Sequence, residues 1–256
     1  KIFNYCKKVK ISFFATPFDF NSLDFLESIG TPFYKVSSAD HRNTPFINLL
    51  AKIKKPLIIS TGGGDWTSIE KAANVIRNYH DEFALLQCTA AYPCKPEDMN
   101  LNVIKSLRDK YEENVIGLSD HQNGISMALV AITLGARIVE KHFTLDRTLK
   151  GTDHKFSLEP NGLTKLVRDI RRAEVAMGDY DKSPLEIEKN PLKKMGKKLV
   201  ASKDIQKGSI ISDKDIALKS PQDGLEPEFF DNLVGKKLLI DLKKDDNFNL
   251  EIISKN

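Results

Sequence analysis

The sequence predicts an α/β fold with a parallel sheet, and three observations carry that reading. Short β-branched runs alternate with helical patterns from residue 11 to about 178, the runs are apolar throughout, and polar residues gather just after them. Six strands are expected: Ile11 to Thr16, Phe33 to Ser37, Pro56 to Ser60, Phe83 to Cys88, Asn114 to Leu118 and Arg137 to Lys141. Continuous apolarity marks strands buried on both faces, as a parallel sheet requires. Between them, Ile69, Ala72, Ala73 and Ile76 form one helical stripe, and Leu163, Leu166, Val167 and Ile170 another. Thr67 with Glu70 predicts a capping box for the first stripe.

The residues after the strands are Thr16, Lys35 and Ser38, Ser60 and Thr61, Thr89 and Tyr92, Ser119 and His121, and His142 and Thr144. An open doubly wound sheet gathers reactive groups at one switch point, whereas here every strand contributes, which favours a (β/α)8 TIM barrel. Eight units need about 250 residues, and the six visible ones use much less chain. The barrel is therefore expected to lack its first two βα units, which would precede residue 1 because Asn4 to Lys10 reads as the end of a helix. The expected plan is a partial barrel over 1–185, a lysine-rich linker over 186–198 and a small β-rich module over 199–256, with turns at Lys207-Gly208, Asp223-Gly224 and Asp245-Asp246.

Composition narrows the function. With 256 residues, 41% apolar and 29% charged, the chain is globular, and no apolar run approaches the roughly 18 to 20 residues of a membrane span. No membrane partner is expected. The net charge of +4, from 39 basic and 35 acidic residues, is too mild and too evenly spread for a nucleic-acid surface but suits an anionic small substrate. Cys6, Cys88 and Cys94 make an odd number without metal spacing, and no apolar leader precedes them, so a cytoplasmic location without disulfides is expected.

His121 in Gly117-Leu-Ser-Asp-His121 and His142 in Val139-Glu-Lys-His-Phe143 would bring two imidazoles to one rim. Two neutral nitrogens leave coordination positions open, which suits an ion acting as Lewis acid on a substrate oxygen. Simple hydrogen bonding at strand ends is the alternative. His41, His80 and His154 have no such companion. Lys35, Ser37 and Ser38 with Ser60-Thr-Gly-Gly-Gly64 would converge on a phosphate or carboxylate, although Lys35 could instead pair with Asp40. Neither GxxxxGK[ST] nor GxGxxG is present, so nucleotide binding is not expected. Asp40, Asp120, Glu140 and Asp153 are candidate acids, and Cys88 reads as a small packing group rather than a nucleophile.

Together, Phe14-Ala-Thr-Pro-Phe18, Tyr34-Lys-Val-Ser-Ser38, Pro56-Leu-Ile-Ile-Ser-Thr-Gly62, Gln87-Cys-Thr-Ala-Ala-Tyr-Pro93, Gly117-Leu-Ser-Asp-His121, Glu140-Lys-His-Phe-Thr144 and Gly151-Thr-Asp-His154 resemble the N-acetylneuraminate (sialic acid) synthase family. Val200-Ala-Ser-Lys-Asp-Ile-Gln-Lys-Gly208 and Leu233-Val-Gly-Lys-Lys237 resemble the antifreeze-like SAF (β-clip) domain that follows that family's barrel. The resemblance implies condensation of phosphoenolpyruvate with N-acetylmannosamine, or a related N-acyl mannosamine, to a nine-carbon sialic acid and phosphate. It implies that His121 and His142 hold Mn²⁺, or a similar ion such as Mg²⁺ or Co²⁺, and act in catalysis with Lys35. Thr16, Lys35, Ser38, Ser60 and Ser119 match phosphoenolpyruvate-binding positions, and Tyr92 and Asp153 match sugar-binding ones. It also implies a homodimer in which each SAF domain reaches the partner barrel.

Some positions depart from the family. Its first two strands, with an acidic residue and a lysine, have no counterpart, so residues 1–256 alone are expected to be inactive or weak. Asp40, Ala90 and Lys219-Ser-Pro221 stand where Glu, a polar residue and an arginine before the proline are common. Lys150-Gly-Thr-Asp-His154 looks more like neuraminate or legionaminate synthases than pseudaminate synthases. The alternatives are a legionaminate or pseudaminate synthase, a barrel condensing phosphoenolpyruvate with a phosphorylated sugar, and a catalytically dead scaffold with a binding SAF module.

Overall fold

A computed structural model describes residues 1–254. The chain divides into two compact units, 1–178 and the remainder from Asp179. In the first, α1 (Ile2–Lys8) and α2 (Phe20–Ser28) lead to β1 (Tyr34–Val36), α3 (Thr44–Lys52), β2 (Leu57–Ser60), α4 (Trp66–Arg77), β3 (Phe83–Cys88), α5 (Val103–Lys110), β4 (Val115–Asp120), α6 (Ser126–Thr133), β5 (Ile138–Lys141) and α7 (Pro160–Ala176). The five strands are parallel and ordered as in sequence, with Tyr34 opposite Leu57, Leu85 opposite Ile116 and Leu118 opposite Val139. All six residues of β3 are buried, as its unbroken apolar run requires. Side chains of Ile47, Leu50, Leu57, Ile59, Ile76, Leu85 and Leu107 fill the layer between sheet and helices.

Although β1 and β5 are the two ends of this order, Lys35 Nζ on β1 lies 3.3 Å from Glu140 Oε2 on β5. The sheet is therefore strongly coiled, an α/β half-barrel whose concave face brings its outermost strands together.

Three local expectations need correction. Ile11 to Thr16 is not a strand but one parallel bridge, Ala15 to Tyr34, with Ile11 65% exposed; among the described residues it borders only β1 and has no second neighbour to extend a ladder. The α4 cap is Asp65 with Ser68 rather than Thr67 with Glu70. Thr67 already lies in the first turn, and the Glu70 carboxylate is taken by Lys110, Arg77 and the Tyr111 hydroxyl. On α7 only Leu166 of its stripe is buried, packed with Ala128 and Leu158, while Val167 lies outside that contact and is half exposed.

In the second unit the expected linker contains α8 (Lys189–Met195). Pro191 sits in its first turn, where an N–H is not needed, and Lys193 and Lys194 favour its carboxyl end. No residue of α8 is buried, so its sequence carries no amphipathic period. Then β6 (Lys198–Ala201) pairs antiparallel with β7 (Ile216–Lys219), α9 (Phe230–Leu233) follows, and single bridges such as Ile205 to Leu242 complete a core of Leu199, Ile211, Leu233, Leu238 and Phe248. Gly208 turns the chain with a φ of +92°, a conformation that favours glycine. Lys203 and Ser212 hold the buried Asp215 carboxylate.

Candidate active site

Strand alternation decides which side chains reach the mouth of the half-barrel. On β4, Ser119 turns inward and its Oγ donates to Glu140 Oε1 at 2.8 Å. Asp120, one residue on, turns the other way and is buried against Lys141 Nζ at 3.0 Å, so this candidate acid is taken up by an ion pair. On β5 the same period puts Glu140 and His142 together at the mouth. Lys35 is only 6% exposed; its ammonium meets Glu140 and donates to the Val36 carbonyl at 3.2 Å, so its partner is Glu140 and not Asp40. Asp40 instead accepts from Ser37 and Asn43.

The two imidazoles do meet. The His121 and His142 ring centroids are 5.2 Å apart, with Tyr92 4.2 Å from His121 and 5.9 Å from His142, and Phe156 5.0 Å from His142. His121 Nδ1 is 3.0 Å from the Thr89 carbonyl, and His142 Nδ1 is 3.6 Å from Asp153 Oδ2. This leaves the Nε2 of each ring without a hydrogen bond among the described residues.

Behind them, Ser38 Oγ accepts from Gly62 N–H at 3.0 Å and donates to Cys88 Sγ at 3.3 Å, and that sulfur is 3.9 Å from His121 Nδ1. Cys88 is thus more than a packing group, although an isolated Cys in a sequence gives no sign of the imidazole it meets. Burial alone would raise its thiol, but the bonds from His121 and Ser38 hold it below the usual range. Burial likewise opposes charge on His121, yet its contacts with Cys88 and the Thr89 carbonyl hold it above the ordinary histidine value. His142 is pushed down by burial and by the neighbouring His121. Tyr92 is raised by burial and by the surrounding negative charge.

Ser60 is 2% exposed and, among the described residues, its hydroxyl has no partner, an orphan in a place where such groups normally find one. Thr16 lies after the Ala15 bridge, half-buried, without a hydrogen bond to the other predicted residues. Of the remaining histidines, His41 bridges the Ser38 carbonyl at 2.7 Å and Ser68 Oγ at 3.3 Å, and His154 bonds Thr144 at 2.7 Å, both structural roles.

A divalent cation fits the donor set as an open site. Among the described residues no group of three or more His, Cys, Asp or Glu is placed to enclose a metal ion, so the pair would leave most of an ion's coordination shell to substrate and water.

The profile of the NeuB family matches residues 1–182. The chain belongs to the NeuB family. The SAF domain profile matches residues 198–246 of this NeuB-family chain, which also places the second unit. It is 38% identical over 250 residues to the N-acetylneuraminate-9-phosphate synthase of Homo sapiens, covering 97% of this chain and 70% of that protein. It is 38% identical over 245 residues to the N,N'-diacetyllegionaminic acid synthase of Campylobacter jejuni, covering 94% of this chain and 73% of that protein. Among solved structures, the N-acetylneuraminic acid synthetase of Leptospira borgpetersenii superposes with a TM-score of 0.70 at 37% identity, over 75% of this chain and 67% of that one. The relatives are synthases of sialic and related acids, so the chain is an enzyme of that family.

Proposed function

We propose that the chain condenses phosphoenolpyruvate with N-acetylmannosamine or a related N-acyl mannosamine, releasing phosphate and forming a nine-carbon 2-keto sugar acid. The half-barrel is read as an arc of a (β/α)8 barrel. The observation that carries the proposal is the juxtaposition of a buried lysine and an orphan hydroxyl with two imidazoles at one sheet mouth. Without substrate, Glu140 neutralises Lys35. A phosphate or carboxylate entering there would compete for the ammonium and give Ser60 the acceptor it lacks, with Ser38, Ser119 and Thr16 as further donors. His121 and His142 would hold a divalent cation such as Mn²⁺, Mg²⁺ or Co²⁺, which when bound supplies Lewis-acid polarisation of the sugar aldehyde.

The enol carbon of phosphoenolpyruvate forms the new bond to the aldehyde carbon, whose oxygen takes a proton. Water adds to the carbon bearing phosphate, and cleavage of its bond to the phosphate oxygen leaves the keto acid. Lys35 and the serine hydroxyls balance the anion through these steps, which is the main demand of a reaction whose charge moves from carbon to phosphate. Asp153 and Tyr92 border the histidines and are the sugar-binding candidates. The sugar is of the neuraminate or legionaminate type, on the Gly151-Thr-Asp-His154 segment. The chain works as a homodimer in the cytoplasm.

The test adds Mn²⁺, phosphoenolpyruvate and N-acetylmannosamine, follows phosphate release, and titrates phosphoenolpyruvate by calorimetry. Metal-dependent release, weak in this chain, together with saturable phosphoenolpyruvate binding is expected. Neither binding nor release with any mannosamine derivative would leave a scaffold.

A further inference from the structure

The last rung of the β4 and β5 ladder is Asp120 opposite Lys141, and His121 and His142 are the next residues on each strand. Beyond that rung the ladder no longer spaces the strands. Past it the Leu158 N–H donates to the His142 carbonyl at 2.8 Å, and at the rung itself the strands are joined by an ion pair almost closed to solvent, with side chains 0% and 5% exposed and Lys141 Nζ 3.0 Å from Asp120 Oδ2. The same two side chains grip the main chain just past His121: Gln122 N–H donates to Asp120 Oδ1 at 2.8 Å, and Lys141 donates to the Gln122 carbonyl. From the other side, Cys94 N–H donates to the His121 carbonyl at 3.0 Å. Beyond their bond to each other, the two side chains thus hold the N–H and the carbonyl of Gln122, the residue that follows His121, while Lys141 itself precedes His142.

Stability alone does not explain such a pair, because an apolar pair of similar volume commonly stabilises a buried site as well or better. What an apolar pair cannot do is hold Gln122 by both its N–H and its carbonyl. We propose that Asp120 and Lys141 are positioning residues that set the separation and orientation of the His121 and His142 rings. The ring spacing then follows from the clamp in the metal-free protein, before any ion binds. For the metal site the inference rests on the reading that these rings hold a divalent cation; for the ring geometry it stands by itself.

The experiment uses the whole chain and compares two double variants. Asp120→Leu with Lys141→Met removes the clamp but keeps a buried apolar pair. Asp120→Asn with Lys141→Gln keeps hydrogen bonds without charge. Two readouts are taken: nuclear Overhauser contacts among the His121, His142 and Tyr92 ring protons in metal-free protein, and Mn²⁺ affinity from the electron paramagnetic resonance of the free ion. The apolar double is expected to fold with an unchanged or higher melting midpoint, to lose the contact between histidine rings, and to bind Mn²⁺ about 10 to 100-fold more weakly, the range typical when a ligand's supporting partner is lost. The amide double is expected to keep the ring contacts and near-native Mn²⁺ affinity. Native ring contacts in the apolar double would overturn the proposal. So would its failure to fold, since the pair would then be a stability element. His121→Ala separates the two claims: native Mn²⁺ affinity in that variant sinks the cation reading and leaves the ring-contact comparison standing.

Discussion

The two ends of the same sheet are built from opposite materials. At the carboxyl end, Lys35, Ser60, Ser119, Asp120 and His121 are all buried. At the amino end, Phe33, Pro56, Leu57, Phe83, Val115 and Ile138 line an apolar hollow of about 480 Å³, with Asp81, Glu82 and Glu113 beside them. Burying a polar group costs free energy unless a partner compensates it, so a fold selected for stability alone would look like the amino end throughout. The concentration of buried charge at one end is the structural signature of a binding site, whereas among the described residues unpartnered buried atoms occur at both ends, Ser60 Oγ at the carboxyl end and Thr31 Oγ1 and His80 Nε2 in the segments that lead into β1 and β3.

That contrast can be broken or sharpened. Leu57→Ala, at the apolar end, is expected to lower unfolding stability by about 2 to 4 kcal/mol through the enlarged cavity while leaving phosphoenolpyruvate affinity unchanged. Denaturant unfolding with calorimetric titration checks both halves, and a loss of affinity would erase the division between ends. Lys35→Met is expected to do the reverse. It removes a charge-assisted contact of about 2 to 3 kcal/mol, a loss of roughly 30 to 150-fold in phosphoenolpyruvate affinity by the same titration. The second unit offers a control outside this sheet. Asp215 is held at a pKa of about 2 by Lys203, Ser212 and the Ser212 N–H, against an ordinary 3.8. Because the folded value is the lower one, its stabilisation is complete above about pH 5 and fades as pH falls toward 2, amounting to about 2 kcal/mol. Asp215→Asn should remove that amount at neutral pH and flatten the acid limb of thermal melts followed over this range.

What the sequence showed of this arrangement depended on local period. The strands of the half-barrel were legible because apolar runs such as Phe83 to Cys88 are buried on both faces, and the α4 stripe because Ile69, Ala72, Ala73 and Ile76 all face the sheet. The histidine pair was legible because consecutive parallel strands present equivalent positions at one rim. Contacts made by curvature were not. Lys35 meets Glu140 only because the sheet coils its two outer strands together, and neither residue's neighbours in the chain announce it. A sign was available in hindsight: Glu140 lies two residues before His142 and so shares its face. The Asp120 to Lys141 clamp and the meeting of Cys88 with His121 likewise depend on strand register. The α8 helix escaped notice because it buries nothing, and the segment at Ile11 because a strand needs a neighbour as well as an apolar sequence.

Ser60 separates stability from binding in one side chain. Its hydroxyl is buried with no acceptor among the described residues, so Ser60→Ala removes a desolvated polar group and is expected to raise stability by about 1 kcal/mol, and to weaken phosphoenolpyruvate binding by about the same amount. Measuring the melting midpoint and the phosphoenolpyruvate dissociation constant on one preparation tests the whole account. A higher midpoint with weaker binding is the predicted pair of results; a lower midpoint with unchanged binding would contradict it.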